Sequence, residues 1–213
     1  MENNNKIFTK VYGWMFIGLL ISFITGYYVS TRQHMVYNLG NARIILAAIE
    51  IGVCIWLSAG IEKMQPTTAK ILFCLYSFLT GLSFSFIFVY YLMESIIMVF
   101  GITALMFAVM ALIGHFTNLD LTKIRTILLM GLLGIIAATI INLYIGSETL
   151  DLGIIIIGII IFIAYIAYDV QKVKYVANKL DEDNAAIICA FELYLDFINL
   201  FLKLLRLLGK SKD

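Results

Sequence analysis

Four carboxylates stand inside runs of apolar residues: Glu50, Asp169, Glu192 and Asp196. An ionisable side chain at membrane depth costs about 2.5–3.5 kcal/mol on insertion scales, so each of these is a functional candidate. Two carboxylates held a few ångströms apart cannot both ionise cheaply, and they share one proton. Such a pair can do two things. Protonated, it forms an O–H···O bond that pins one element to another. Deprotonated, it repels itself unless a cation enters, and its hard oxygens suit calcium. Asp169 and Asp196 fit this chemistry. Asp169 lies near the end of one apolar run, and Asp196 lies roughly 15 Å along the next. The connecting stretch Lys172–Asn184 lets the two runs return beside each other. Alkaline pH would then separate the helices and admit a divalent cation, and acid would close the path. Glu50 adds a third carboxylate deeper along the same path.

The run that carries Asp196 has a polar stripe of Glu192, Asp196, Asn199, Lys203 and Arg206, at offsets of 4, 7, 11 and 14 from the first. That spacing is one face of a helix. Such a face cannot meet lipid and must turn to the protein interior or a wet cavity. Helix-to-helix hydrogen bonding is the simpler account of Asn199, Lys203 and Arg206. Asn142 either bonds across helices or lines the path. Tyr165 stands one turn before Asp169 and Tyr168 adjoins it, so either hydroxyl could steady the carboxylate; interfacial tyrosine is the plainer account. Gly131, Gly134, Gly153 and Gly158 are expected to permit close helix packing. Cys54, Cys74 and Cys189 lie in separate apolar runs, and His34 and His115 are isolated, so neither a disulfide framework nor a His-ligated metal site is expected.

The elements that position these groups follow from composition. Hydrophobic residues are 62% and charged residues 14% of the 213, with one proline, against ~45–50% and ~25% in soluble domains. Mean hydropathy is +0.97. Too few polar residues exist to cover a compact surface, so much of it must face a lipid bilayer. A net charge of +1 excludes a nucleic-acid partner, which needs clustered Lys and Arg. At about 20 residues per crossing, six spans read clearly: Val11–Val29, Ile44–Ile61, Ala69–Met93, Ile96–His115, Ile124–Ile145 and Leu152–Val170. A seventh, Ala185–Leu208, carries the acidic stripe. The runs are continuous rather than alternating, which predicts an all-α polytopic membrane protein and excludes a β-barrel. Loops are short, so residues 1–213 are expected to form one transmembrane domain.

Basic residues set the orientation. With the N-terminus cytoplasmic, inside segments hold Lys6, Lys10, Lys63, Lys70, Lys123, Arg125, Lys172, Lys174 and Lys179, and outside loops between the first six spans hold only Arg32 and Arg43. Lys203, Arg206, Lys210 and Lys212 conflict with a full seventh crossing. Either that helix is re-entrant, or it crosses while shielded by the other six; its length favours the crossing.

At these residues the sequence resembles the transmembrane Bax inhibitor motif family, in its bacterial branch. The matching stretches are YSFLTGLSFS at 76–85, TNLDLTK at 117–123, GLLGIIAATIINLYI at 131–145, AYIAYDVQKVK at 164–174 and LYLDFINLFLKLLRLLG at 193–209. The resemblance implies seven transmembrane helices with a central C-terminal helix wrapped by the other six, in the bacterial cytoplasmic membrane. It implies a pH-sensitive calcium leak, with the family's aspartate pair at Asp169 and Asp196 and its second-helix glutamate at Glu50. Calcium is then the transported or bound ion, with no other cofactor. Some members carry an arginine cluster after the second helix that latches onto the sixth-helix aspartate. Here that stretch reads Ser58, Ala59, Gly60, Ile61, Glu62, leaving Lys63 or a C-terminal base for the role.

Other functions compete. Bacterial relatives are connected with modulation of a membrane-bound protease, so a non-transporting regulator of membrane proteins is one alternative. A calcium/proton exchanger is another, since the same residues permit it. An intramembrane aspartyl protease needs a glycine-rich approach to its second aspartate, and Leu193, Tyr194 and Leu195 precede Asp196 instead; an enzyme is therefore not expected.

Overall fold

The computed structural model describes residues 2–212, with side chains from residue 6 onward. Eight α-helices are found among them: α1 (Glu2–Ser30), α2 (Gln33–Asn41), α3 (Arg43–Gly60), α4 (Pro66–Tyr90), α5 (Met93–Phe116), α6 (Arg125–Ile145), α7 (Glu148–Ala177) and α8 (Glu182–Leu208). All except α2 are long and apolar enough to cross a membrane. The protein is an all-α polytopic membrane protein. Its outward faces are apolar, as at Ile44, Ile51, Ile55 and Trp56 of α3, which is what lipid contact requires.

Several bounds differ from the hydropathy reading. α7 continues past Val170 to Ala177 because Gln171, Lys172 and Lys174 prolong the helix into the polar boundary, where composition stops signalling a span. Met93 opens α5 rather than closing α4. The stretch after the first span is not merely a loop: Gln33–Asn41 is helical and contains no buried residue. Gly146, at φ 67°, ends α6 in the left-handed conformation that glycine adopts without strain.

The chain divides into two compact units. The first comprises Met1–Met93, Val173–Tyr194 and Ser211–Asp213, and the second Glu94–Lys172 and Leu195–Lys210. In the first unit α4 is the hub, packing on α1 and α3. Small residues let α1 and α4 approach: a Cβ at Gly81 would lie 2.9 Å from the Ser22 carbonyl oxygen, and one at Gly26 would lie 3.0 Å from that of Gly81. Phe73 and Tyr76 of α4 then meet Phe191 and Tyr194 of α8 edge to face. In the second unit Phe100 and Phe107 of α5 pack on Phe197 of α8. Gly114 of α5 lies so close to α7 that a Cβ would overlap the Ala167 carbonyl oxygen and stand 2.8 Å from its Cα. Of the four glycines expected to permit close packing, Gly131 faces Ile161 and Gly158 faces the Lys203 stem, but Gly134 and Gly153 have open space.

α8 is the most buried span, with 78% of its most apolar window buried against 11–50% in the others. It is one continuous helix of 27 residues, long enough for a full crossing. Its first turn lies beside the start of α4, where Lys70 Nζ is 2.6 Å from Asp183 Oδ2. The tail lies at the other end of α4: the Lys212 amide donates to the Tyr90 carbonyl at 2.8 Å, and Lys212 Nζ donates to the Phe88 carbonyl at 2.8 Å. A re-entrant seventh helix would bring the tail back to the Lys70 end, whereas α8 runs from the Lys70 end of α4 toward its Tyr90 end.

Candidate functional site

Asp169 on α7 and Asp196 on α8 both belong to the second unit and are 7% and 5% exposed. Each sits on a helix whose neighbouring side chains are apolar and buried: Ile166, Ala167 and Val170 around the first, Phe197 and Ile198 beside the second. Tyr165, one turn before Asp169, packs its ring 6.5 Å from that of Tyr168. The ammonium of Lys172, one turn after Asp169 on α7, is 3.9 Å from Asp169 Oδ1 and 6.0 Å from the Tyr168 ring centre. This is a long i,i+3 pair that leaves room for exchange. Its own helix thus supplies Asp169 with an ion-pair partner.

The C-terminal bases are occupied elsewhere. Arg206 Nη2 is 2.8 Å from Asp151 Oδ1 at the start of α7. The Lys203 stem lies over Gly158, and Lys212 bonds the last turn of α4. Asn199 donates to the Leu195 carbonyl one turn back at 2.8 Å, within α8 itself. Asn142 ends α6: its side-chain oxygen accepts from the Ser147 amide at 3.0 Å and its carbonyl accepts from the Gly146 amide at 2.8 Å. It also lines a cavity of about 580 Å³ with Ser147, Glu148, Asp151 and Arg206. Among the described residues no group of three or more His, Cys, Asp or Glu gathers as a metal cluster. A cation at the aspartate pair would therefore draw its remaining ligands from water and neutral oxygens.

Glu50 and Glu192 belong to the first unit. Glu50 is half-buried between α3 and α4, where Ser83 Oγ donates to its Oε1 at 2.6 Å. Glu192 is half-buried on α8.

Two features went unread in the sequence. One is a clamp on the first turn of α8. Asp183 meets Lys10 Nζ at 3.0 Å and Lys70 Nζ at 2.6 Å, Glu182 meets Lys10 at 2.9 Å, and Asn184 Nδ2 donates to the Met64 and Ile61 carbonyls at 2.8 and 3.3 Å. Its signal was the acidic helix start, with Asp181 Oδ2 accepting from the Asp183 amide at 3.1 Å. The other is a set of buried hydroxyls around Tyr194, whose OH is 2.7 Å from Ser22 Oγ. Outside the spans, Asp120 caps a short turn, accepting from Thr122 Oγ1 at 2.6 Å and the Thr122 amide at 3.1 Å. Those two hydrogen bonds hold its carboxyl below the usual aspartate range.

Fold and site together define a polytopic helical membrane protein with two acids buried in its last two helices. Comparison with known proteins gives the family. The model described as "Inhibitor of apoptosis-promoting Bax1" matches residues 4–213, and the chain belongs to that family. It is 38% identical to the inner membrane protein YbhL of Escherichia coli K12, over 95% of this chain and 91% of that protein. It is 40% identical to an uncharacterised protein of Borreliella burgdorferi (98% and 94% covered), and 38% identical to one of Rickettsia prowazekii (100% and 92% covered).

Proposed function

We propose that the protein is a pH-sensitive calcium leak channel of the bacterial inner membrane, with its N-terminus cytoplasmic, gated by a proton shared between Asp169 and Asp196. The supporting observation is that two carboxylates on successive helices are almost completely buried within one compact unit. A lone proton on the pair makes one charge-assisted hydrogen bond between α7 and α8. Losing it leaves two buried negative charges, a state that repulsion and desolvation both disfavour. Helix separation with water and calcium entering relieves both. Lys172, whose ammonium stands 3.9 Å from Asp169 Oδ1, lies close enough to respond to the charge on the pair. Glu50 supplies a further acidic station for the ion. No catalytic role is assigned, because bulky, buried Leu193 and Tyr194 lead into Asp196 and leave a peptide substrate no open backbone approach.

The test is calcium uptake into vesicles of purified protein at several pH values. Wild type gains flux as pH rises. Asp169→Asn and Asp196→Asn flatten that response, and Glu50→Gln lowers flux more than it alters the pH response. Calcium flux indifferent to pH, or absent, would overturn the leak reading and favour a regulator of other membrane proteins, such as a membrane-bound protease. Flux driven only by an imposed proton gradient would make it an exchanger.

A further inference from the structure

The cavity of about 580 Å³ lies where α6 ends, α7 begins and α8 finishes, wholly within the second unit. It takes no part in the gate proposed above. Its volume is that of a small-ligand site, which spans roughly 300–1,000 Å³. The rim is held in place by hydrogen bonds. Asn142 Oδ1 accepts from the Ser147 amide at 3.0 Å, and Ser147 Oγ accepts from the Leu150 amide at 3.3 Å. Across the cavity, Arg206 Nη2 stands 2.8 Å from Asp151 Oδ1.

The charged lining selects the ligand's head. Glu148 and Asp151 stand three residues apart in the first turn of α7, so they share a face. Arg206 enters from the last turn of α8. Lys203, one turn deeper on α8, lays its stem over Gly158 and is not in the lining. Two carboxylates thus meet one guanidinium, and the lining lacks a cation. A primary ammonium has three N–H donors and no acceptor, which suits two carboxylates at once. Arg206 has five donors, so its pair with Asp151 leaves some free for an anion such as phosphate.

The other walls select its body. Leu143, Leu152 and Leu207 line the cavity and are 79%, 47% and 40% exposed. Tyr144, in the last turn of α6, is 89% exposed, as suits an interfacial tyrosine. At the ends of three spans the charged rim stands at lipid-headgroup depth, with leucines beside it to meet acyl chains. A water-soluble ligand would leave those leucines bare, whereas an amphiphile covers them. We infer that this cavity binds the headgroup of an ethanolamine phospholipid. The ammonium sits between Glu148 and Asp151, the phosphate meets Arg206, and the chains run along Leu143 and Leu152. The site needs neither the aspartate gate nor calcium flux, so it stands or falls apart from the leak reading.

The experiment is native mass spectrometry of the purified full chain in detergent, supplied with equal amounts of phosphatidylethanolamine, phosphatidylglycerol and phosphatidylcholine of identical acyl chains. Wild type should retain phosphatidylethanolamine about fivefold over either competitor, the ratio expected of one partly exposed ion pair. Phosphatidylglycerol lacks the cation, and phosphatidylcholine lacks the N–H donors. Glu148→Gln should bring phosphatidylethanolamine level with phosphatidylglycerol. Arg206→Gln should weaken retention of all three; if it does not fold once Asp151 loses its partner, Glu148→Gln decides. Equal retention of the three lipids by wild type means annular lipid only and overturns the site. So does a preference that survives Glu148→Gln. Thermal unfolding separates the two sources of the headgroup. Phosphatidylethanolamine should raise the unfolding temperature, and soluble phosphoethanolamine at the same concentration should not. An equal rise with the soluble compound overturns the assignment to a lipid.

Discussion

Gly114 offers a quantitative test of how the second unit holds Asp169. Replacing it with alanine puts a methyl group onto the α7 backbone, overlapping the Ala167 carbonyl oxygen and 2.8 Å from its Cα. Real side chains rarely approach backbone more closely than about 3.4 Å, so α5 and α7 must part by something near 1 Å, since no flexible side chain can absorb the overlap. Overpacking of this kind costs about 1–3 kcal/mol, which for a chain of this size lowers the unfolding temperature by about 2–4 °C per kcal/mol. Asp169 is two residues from the contact, so the displacement carries its carboxylate along. Gly114→Ala should therefore unfold several degrees below wild type and shift the pH at which calcium flux rises. Gly134→Ala is the control: a Cβ there meets nothing within 4 Å, and loss of a helical glycine should leave stability equal or slightly raised. The assay pairs circular dichroism melting in detergent with vesicle flux. If Gly114→Ala and Gly134→Ala melt together and share the wild-type pH profile, the close α5–α7 packing and its coupling to Asp169 are refuted.

Further expectations follow from the clamp and the chain ends. Asp183→Asn removes the group shared by Lys10 and Lys70; because the group is partly exposed, the loss should be about 1 kcal/mol or less and should vanish in high salt, as melting in low and high salt would show. Asn184→Ala should cost about 1–3 kcal/mol by stripping a buried donor from the Ile61 and Met64 carbonyls, with no dependence on salt; a salt-sensitive loss would contradict it. Asp120 titrates below the usual aspartate range, so any stability it adds is present above that range and is lost only on stronger acidification. Asp120→Asn should therefore leave the flux profile near neutrality unchanged, and a displaced profile would make Asp120 a second sensor. Reporter fusions should find the N-terminus inside and the C-terminus outside, because the tail lies at the Tyr90 end of α4, away from the Lys70 end; an inside C-terminus would reject the crossing of α8.

How much of this could be read in advance depended on how local each signal was. The seven spans were legible because lipid contact demands a long apolar run, which composition records directly. Asp169 and Asp196 stood out for the same reason, being acids set in such runs. The length of α7 beyond Val170 was not legible, since Gln171 and Lys172 read equally well as loop or helix. Nor was α2, whose nine residues show no buried face. The Asp151–Arg206 pair joins residues 55 apart, and nothing local announces it. Asn142 shows how a polar residue in a span can mislead, because much of its hydrogen bonding goes to ending α6 at Gly146.

The most direct measurement is pH-difference infrared spectroscopy of the purified protein in lipid, following the protonated carboxyl band. A proton shared by Asp169 and Asp196 predicts one carboxyl band that disappears between mildly acid and mildly basic conditions in wild type. Asp169→Asn and Asp196→Asn should each abolish that transition. A transition that persists in both variants, or no titrating carboxyl over that range in wild type, would contradict the account.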